Sequence, residues 1–281
     1  MLTACRLPDN ISFDAAALLE PLSVGIHAVN RASPAPGSTA LVLGAGTVGL
    51  LTAAMARQAG CTQVTITDVD QGRVDYAISK GFATHGYVVP RPLHTSSSSS
   101  LIFTNSNSSS GSSTPLDGIA TPSSTLPFRS SLESAKALAA EMLTLTQDPI
   151  LDSEDEDVGV DVTFECTGKE VCMHTALYAT RPGGKVIMVG MGTPIQTLPL
   201  SVAHLREIDI LGIFRYANTY ATGIRMLCNQ RKSGAGFTLP SLDDMVTHRF
   251  KGLGNAKGAF ELASRTSDNE GNLVLKIVIE A

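Results

Sequence analysis

The sequence contains no tryptophan, and aromatic residues make up only 5% of it. Charged residues are also scarce, at 17%, and the formal net charge is −5. A chain with so little positive charge offers no basic face, which argues against nucleic acid and anionic membrane surfaces as partners. The N-terminus shows no basic stretch followed by an apolar run, so no secretory signal is predicted. The most apolar stretch, residues 41–56, is short for a membrane span and contains three glycines.

Cysteine is rare as well. The five cysteines are odd in number, and no two of them are spaced as Cys-x-x-Cys. This pattern favours reduced thiols and argues against a structural zinc site built by this chain alone. We therefore expect a soluble, cytoplasmic protein.

A regular alternation of apolar patterns occupies most of the chain. Hydrophobic residues make up 43% of it, which is enough for a packed core. Between residues 39 and 89 the pattern predicts strand, helix, strand, helix and strand in turn. The alternation resumes with strands predicted over 160–168, 183–192 and 208–216. Strands joined by crossover helices run parallel, so the predicted fold class is α/β, with a doubly wound parallel sheet.

A Ser-, Thr- and Pro-rich stretch interrupts this alternation. Residues 91–157 include SSSSS and SNSSSGSS and end in the acidic run LDSEDED. Such a composition buries too little apolar surface to offset the entropy cost of ordering, so we expect a long, largely disordered insertion. One amphipathic helix is predicted within it, over residues 133–145.

The motif GAGTVG follows the first predicted strand of the alternation and opens its first helix. Gly44, Gly46 and Gly49 form a GxGxxG pattern, and Asp68 lies 19 residues after Gly49, at the end of the next predicted strand. This arrangement is typical of Rossmann-type sheets that bind dinucleotides. A carboxylate at this place binds a ribose 2′-hydroxyl and repels a 2′-phosphate, so NAD is favoured over NADP. The alternative is a glycine-rich turn with no ligand.

Two charged residues near these elements have two interpretations each. Arg73 is interpreted as packing on the adenosine end of the cofactor, and the alternative is an ordinary surface arginine. Glu20 is the only acid in LLEPLSVGIHAV and directly precedes Pro21. It is either a solvated residue at a helix start, where a carboxylate suits the helix dipole, or a carboxylate that faces a site.

Six segments of the sequence together resemble one family of enzymes. They are LPDNISFDAAALLEPLSVGIHAV, GAGTVG, ITDVDQGRVDYA, ECTG, GIFRYANTY and VTHRF. They are similar to segments of the zinc-dependent polyol dehydrogenases, the sorbitol and xylitol dehydrogenases of the medium-chain dehydrogenase/reductase superfamily. The likeness covers almost everything outside the insertion, and it is far more specific than the glycine motif.

The resemblance implies roles for individual residues. Glu20 resembles a carboxylate that contacts the zinc-bound water or the substrate, which makes it the candidate catalytic residue. Arg215 and Tyr216 resemble residues that contact the polyol, and the alternative for them is a half-buried, salt-bridged pair after a strand. The further cofactor contacts that the resemblance implies are Val48, Val189, Gly190, Met191, Ile213, Phe214 and Arg215.

The resemblance also implies a domain order. Residues 1–30 match a remnant of a catalytic domain and a connecting helix, residues 31–238 an NAD-binding domain, and residues 239–281 a segment that packs on the catalytic domain in relatives. The family binds its catalytic zinc through a Cys, a His and a Glu of an N-terminal domain, whereas this sequence begins about 20 residues before EPLSV. Zinc is therefore expected for the family, but its ligands are expected to be absent from this chain.

The reaction that the resemblance implies is oxidation of a polyol to a ketose, with NAD⁺ as hydride acceptor and zinc as Lewis acid. One alternative is an NAD(H)-binding regulatory or interaction module without turnover, and another is a truncated form of a full enzyme. A third is a zinc-independent reductase, which would more often use NADPH and so conflicts with Asp68. The expected partner is a small-molecule polyol. The sequence identifies neither the polyol nor the oligomeric state, and a homo-oligomer stays open.

Overall fold

The structure is a computed structural model that describes residues 5–90, 126–145, 159–229 and 238–280. The Ser-rich and acidic parts of the predicted insertion lie outside these residues. Their predicted disorder therefore stays a prediction. Within the described part of the chain, no helix is long and apolar enough to cross a membrane.

Six parallel strands form the main sheet. They are β1 (Thr39–Leu43), β2 (Gln63–Asp68), β3 (His85–Val88), β4 (Val160–Glu165), β5 (Thr180–Met188) and β6 (Asp209–Gly212). Their order across the sheet is β3-β2-β1-β4-β5-β6, and all neighbours are parallel. This is the doubly wound order of dinucleotide-binding folds, in which the direction of winding reverses between β1 and β4. The predicted Rossmann-type α/β sheet is confirmed.

Helices cover both faces of the sheet. In chain order they are α1 (Phe13–Ala17), α2 (Leu19–Ala32), α3 (Thr47–Gln58), α4 (Gln71–Ser79), α5 (Leu126–Leu143), α6 (Glu170–Ala179), α7 (Leu200–Leu205), α8 (Tyr220–Asn229) and α9 (Ala256–Ala263). Ala40 and Val42 of β1 belong to a buried cluster that includes α2 and α3, whereas Leu41 and Leu43 belong to a second cluster with α5 and α6. Successive side chains of a strand point to opposite faces, so this apolar strand is buried on both.

Helix α5 lies inside the predicted insertion but belongs to the core. It packs on α6, and its residues Ala139 and Met142 are buried in the second cluster. The helix covers Leu126–Leu143 rather than the predicted 133–145. Its place follows from topology, because two parallel strands of one sheet need a crossover helix between them and α5 joins β3 to β4.

We expect Met142→Ala to lower the free energy of unfolding by about 2 kcal/mol, at the low end of the range for such changes because the nearby helix end can relax. The Met142 side chain is only 1% exposed, so its removal leaves a cavity. Lys136→Ala, on the exposed side of the same helix, should change this free energy by less than about 0.5 kcal/mol. Urea denaturation measures both values. Equally small effects of the two substitutions would contradict a packed α5.

Three strands end earlier than the sequence predicts. β4 ends at Glu165 instead of residue 168, β5 ends at Met188 instead of residue 192, and β6 ends at Gly212 instead of residue 216. Beyond β6, Arg215 and Asn218 adopt left-handed φ angles of 54° and 57°, which a strand does not accommodate. The cofactor contacts predicted at residues 189–191 and 213–215 therefore lie in loops at the carboxyl ends of β5 and β6.

The C-terminal part forms a second, two-stranded parallel sheet. Its strands are β7 (Val246–Lys251) and β8 (Lys276–Glu280), and α9 packs against both. Arg249 of β7 forms ion pairs with Asp14 of α1 and with Glu280 of β8. The N-terminal and C-terminal segments thus contact each other, and the division of the chain at residues 30 and 238 stays a prediction.

Candidate cofactor and substrate site

The glycine loop lies at the carboxyl end of β1, where the winding of the sheet reverses. Gly44 has a left-handed φ of 100°, which favours glycine. A Cβ atom on Gly49 would lie 1.8 Å from the carbonyl oxygen of Gly44, so only glycine lets α3 approach the strand this closely. A Cβ atom on Gly46 would meet nothing within 4 Å except Arg73 Nη1, at 3.9 Å. Gly44 therefore permits the turn, Gly49 permits the close packing of helix on strand, and Gly46 leaves open space.

That open space adjoins the N-terminus of α3. Gly46 is the N-cap residue of this helix and provides no side-chain cap, and Val48 lies half-buried in the first turn. The first N–H groups of a helix have no partner within it, and the helix dipole places partial positive charge there. An anion above Gly46 can bind these N–H groups directly. The cradle fits the pyrophosphate of a dinucleotide.

Asp68, at the end of β2, lies beside the same loop. Its Oδ2 accepts a hydrogen bond from the N–H of Ala45 at 2.8 Å, and its Oδ1 accepts one from the N–H of Asp70 at 3.0 Å. These bonds tie the half-buried carboxylate to the glycine loop on one side and to the start of α4 on the other. The negative charge is thereby held next to the open cradle.

Arg73, in the first turn of α4, reaches over the cradle. Its Nη2 donates a hydrogen bond to the carbonyl of Val274 at 3.4 Å, and its Nη1 is the group nearest to the Cβ position of Gly46. Its buried Nε has no hydrogen-bond partner among the described residues. A buried donor without a partner costs about 1–3 kcal/mol, so a ligand oxygen at this place would satisfy it. The structure brings Arg73 to the site, and its role there stays a prediction.

The loops after β4 and β5 interlock through glycines. The buried carboxylate of Glu165 accepts a hydrogen bond from the N–H of Gly168 at 2.9 Å, which folds the ECTG loop back on itself. A Cβ atom on Gly190 would lie 2.1 Å from the nitrogen of Gly168, and one on Gly192 would lie 1.5 Å from its oxygen. Because the two backbones touch, residues 189–191 are held at the carboxyl edge of the sheet.

The segment after β6 presents side chains at the same edge. Ile213 donates its N–H to the carbonyl of Met188 at 3.2 Å, and Phe214 is 77% exposed. The guanidinium carbon of Arg215 lies 5.7 Å from the centre of the Phe214 ring. Arg215 is exposed and forms no ion pair with any residue that the structure describes. This differs from the half-buried, salt-bridged pair that was the alternative interpretation.

Helices α2 and α8 bring Glu20 into the neighbourhood of Tyr220, which in turn contacts Tyr216. A Cβ atom on Gly223 of α8 would lie 2.8 Å from Leu19 Cδ1, so this glycine lets the two helices approach each other. The rings of Tyr216 and Tyr220 are 5.0 Å apart between centres, and their hydroxyls share a hydrogen bond. The exposed carboxylate of Glu20 is near enough to act on Tyr220 electrostatically. We call Glu20, Tyr216 and Tyr220 the carboxylate–tyrosine cluster.

Tyr220 is the member of this cluster that the sequence analysis missed. Burial, the hydrogen bond with Tyr216 and the charge of Glu20 together raise the pKa of Tyr220. Its hydroxyl is therefore a neutral hydrogen-bonding group at physiological pH. The available signal was its place in the segment GIFRYANTY, at the start of the helix that packs on the one carrying Glu20.

A metal site does not form from these residues. Within the described ranges, no three His, Cys, Asp or Glu side chains lie close enough together to hold a metal ion. Glu165 is bound by main-chain N–H groups, and His248 Nε2 lies 3.2 Å from Asp268 Oδ2. The described residues do not fit a zinc ion.

The sheet order, the glycine loop and the position of Asp68 are those of a Rossmann-type dinucleotide-binding domain. The family described as zinc-binding dehydrogenase matches residues 128–229. This match confirms, over these residues, the resemblance to zinc-dependent dehydrogenases found in the sequence.

Comparison with individual proteins gives the same result. The chain is 33% identical to sorbitol dehydrogenase of Homo sapiens over 258 residues, covering 91% of this chain and 55% of that protein. It is 34% identical to L-idonate 5-dehydrogenase of Vitis vinifera over 261 residues, covering 92% and 56%. The crystal structure of an Escherichia coli oxidoreductase/dehydrogenase of unknown specificity matches with a TM-score of 0.65 and 25% identity, covering 98% and 59%. The chain thus spans a little over half the length of these relatives.

Proposed function

We propose that this chain carries the cofactor-binding part of an NAD-dependent polyol dehydrogenase, which oxidises sorbitol, xylitol or a similar polyol to a ketose. The observation that carries the proposal is the fixed carboxylate of Asp68 beside the open cradle at Gly46. A dinucleotide needs both, one for its ribose and the other for its pyrophosphate. The curated relatives named sorbitol dehydrogenase and L-idonate 5-dehydrogenase support a substrate of this class.

The cofactor is held from three sides in this proposal. Gly44, Gly46, Val48 and Gly49 receive the pyrophosphate, Asp68 accepts hydrogen bonds from the ribose, and Arg73 borders the adenosine end. The loops at residues 189–191 and 213–215 contact the nicotinamide half, because both lie at the carboxyl edge of the sheet. When bound, NAD supplies the acceptor for the hydride that leaves the carbinol carbon.

We place the polyol against the carboxylate–tyrosine cluster and Arg215. The carboxylate of Glu20 accepts hydrogen bonds from polyol hydroxyls, and Arg215 and Tyr216 donate to them. The hydrogen bond between Tyr216 and Tyr220 orients the Tyr216 hydroxyl. Because the described residues offer no zinc site, we assign no metal chemistry to them.

The test joins this chain to the N-terminal domain of a sorbitol dehydrogenase and follows polyol-dependent formation of NADH by absorbance. We expect turnover, and we expect Glu20→Gln to lower kcat/KM about tenfold or more, the value of one hydrogen bond to a charged group. NADH affinity should not change, because Glu20 lies outside the glycine loop. Glu133→Gln, which removes an exposed charge from α5, is the control and should change neither value.

A zinc-loaded chimera that binds NADH but oxidises no polyol would contradict the proposed reaction. It would favour the alternative of an NAD(H)-binding module. A chimera whose activity is insensitive to Glu20→Gln would place the substrate elsewhere.

A further inference from the structure

The segment between α9 and β8, residues 264–275, folds into a compact strap over the glycine loop. Ser267 and Leu273 form an antiparallel bridge, and the N–H of Val274 donates to the carbonyl of Thr266 at 2.9 Å. We call this segment the C-terminal strap. Its last two residues lead directly into β8, so its position is set by the second sheet.

Two consecutive carbonyls of the strap accept hydrogen bonds from side chains near the glycine loop. The carbonyl of Val274 accepts from Arg73 Nη2 at 3.4 Å, and the carbonyl of Leu275 accepts from the hydroxyl of Thr47 at 3.3 Å. Thr47 directly follows Gly46, the open glycine of the cradle. Val274 is only 2% exposed, so this end of the strap is buried. The strap therefore accepts hydrogen bonds from two side chains that lie next to the pyrophosphate cradle.

One carboxylate fixes the shape of the strap. Asp268 accepts hydrogen bonds from the main-chain N–H of Asn272 at 2.7 Å, from its side-chain amide at 2.9 Å, and from the N–H of Glu270 at 2.9 Å. Its Oδ2 also lies 3.2 Å from Nε2 of His248 on β7. The hydrogen bonds, led by that of the Asn272 side chain, lower the pKa of Asp268 to about 2. Asp268 is thus an ionised anchor that ties the strap to the second sheet.

We propose that the C-terminal strap is a positioning element for cofactor binding, which holds the Arg73 guanidinium over Gly46 through the carbonyl of Val274. This inference rests on the proposed function, because it takes the ligand of Arg73 to be a dinucleotide. Free arginine side chains lose much rotamer entropy when they bind a ligand. A guanidinium that is already held in place loses less, and its affinity for the ligand is correspondingly higher.

The test is a double-mutant cycle on the full chain, with NADH affinity measured from the fluorescence of NADH. We expect Asp268→Ala to raise the Kd for NADH by about two- to tenfold, the effect of ordering one long side chain. In an Arg73→Ala background the same substitution should have no further effect, because the group that the strap positions is gone. An equal rise in both backgrounds would overturn the proposal, since the strap would then act through the fold as a whole. No rise in either background would overturn it as well.

Two matched variants support this cycle. Glu270→Gln removes the same charge from the same segment but leaves the Asp268 anchor, and it should not change the Kd. Asn272→Ala removes an exposed partner of Asp268 and gives a milder second variant if Asp268→Ala fails to fold. It too should raise the Kd only while Arg73 is present, and a rise that persists without Arg73 counts against the proposal.

A ligand-free measurement separates this inference from the proposed function. Nitrogen-15 relaxation of the Arg73 side chain should show an ordered Nε–H group in the wild type and a mobile one in Asp268→Ala. If the wild type binds no NADH, the proposed function fails. The relaxation data still test whether the strap holds the Arg73 side chain in place. Equal order in both proteins would overturn the positioning role.

Discussion

Gly49→Ala should give a protein that binds no NADH and has lost about 4 kcal/mol of its free energy of unfolding, a value at the upper end for point substitutions. The added Cβ atom would lie 1.8 Å from the carbonyl oxygen of Gly44 and 2.9 Å from its carbonyl carbon. Both atoms belong to the backbone, so no side-chain rotation relieves the clash. Helix α3 must move away from β1, and this movement displaces the N–H groups that face the cradle.

Gly254→Ala is the matched control for this substitution. A Cβ atom on Gly254 would meet nothing within 4 Å, so we expect a change of less than about 0.5 kcal/mol and no effect on NADH affinity. Urea denaturation and NADH titration measure the two quantities. A Gly49→Ala protein with wild-type stability would show that α3 and β1 are not in such close contact.

The second large effect concerns the choice of cofactor. We expect the wild type to bind NADH at least about tenfold more tightly than NADPH, which corresponds to about 1.4 kcal/mol. Asp68→Asn should abolish this preference mainly by improving NADPH binding, because it removes the charge that repels the 2′-phosphate. Asp68→Ala should in addition weaken the binding of both cofactors, because the N–H groups of Ala45 and Asp70 then lose the carboxylate that accepts their hydrogen bonds.

Fluorescence titration with both cofactors checks this expectation, and ionic strength gives a further criterion. Repulsion between charges is screened by salt, so the wild-type preference should fall as salt is added. Asp75→Asn removes an exposed charge of α4 away from the cradle and should keep the wild-type preference. Equal affinity of the wild type for the two cofactors would refute the assignment of Asp68.

The features that the sequence predicted correctly are those formed by residues close to one another along the chain. The three glycines of GAGTVG, the apolar strand before them and Asp68 after them are neighbours in sequence, and their spacing alone indicates the cradle. Helix α5 was harder to place, because its apolar pattern stands next to a serine-rich stretch. Only the parallel pairing of β1 with β4 makes a crossover helix necessary there.

The features that the sequence did not reveal depend on contacts between distant segments. Tyr220 reaches the neighbourhood of Glu20 only because Gly223 lets α8 approach α2. The strap reaches Arg73 because it lies between α9 and β8, which pack together with β7. The ends of β5 and β6 depend on glycine contacts and left-handed backbone angles that no periodic pattern encodes.

The interlocked loops after β4 and β5 also constrain how this site can diverge over evolutionary time. Gly168 has a left-handed φ of 72°, and a Cβ atom on Gly168, Gly190 or Gly192 would collide with backbone of the opposite loop. A substitution at any one of these positions would create a backbone clash, so we expect all three to remain glycine. Met191, which lies between two of them, is 80% exposed and is free of this restriction. Variation in cofactor or substrate contacts along this edge should therefore accumulate at positions such as Met191, while the glycines around it stay fixed.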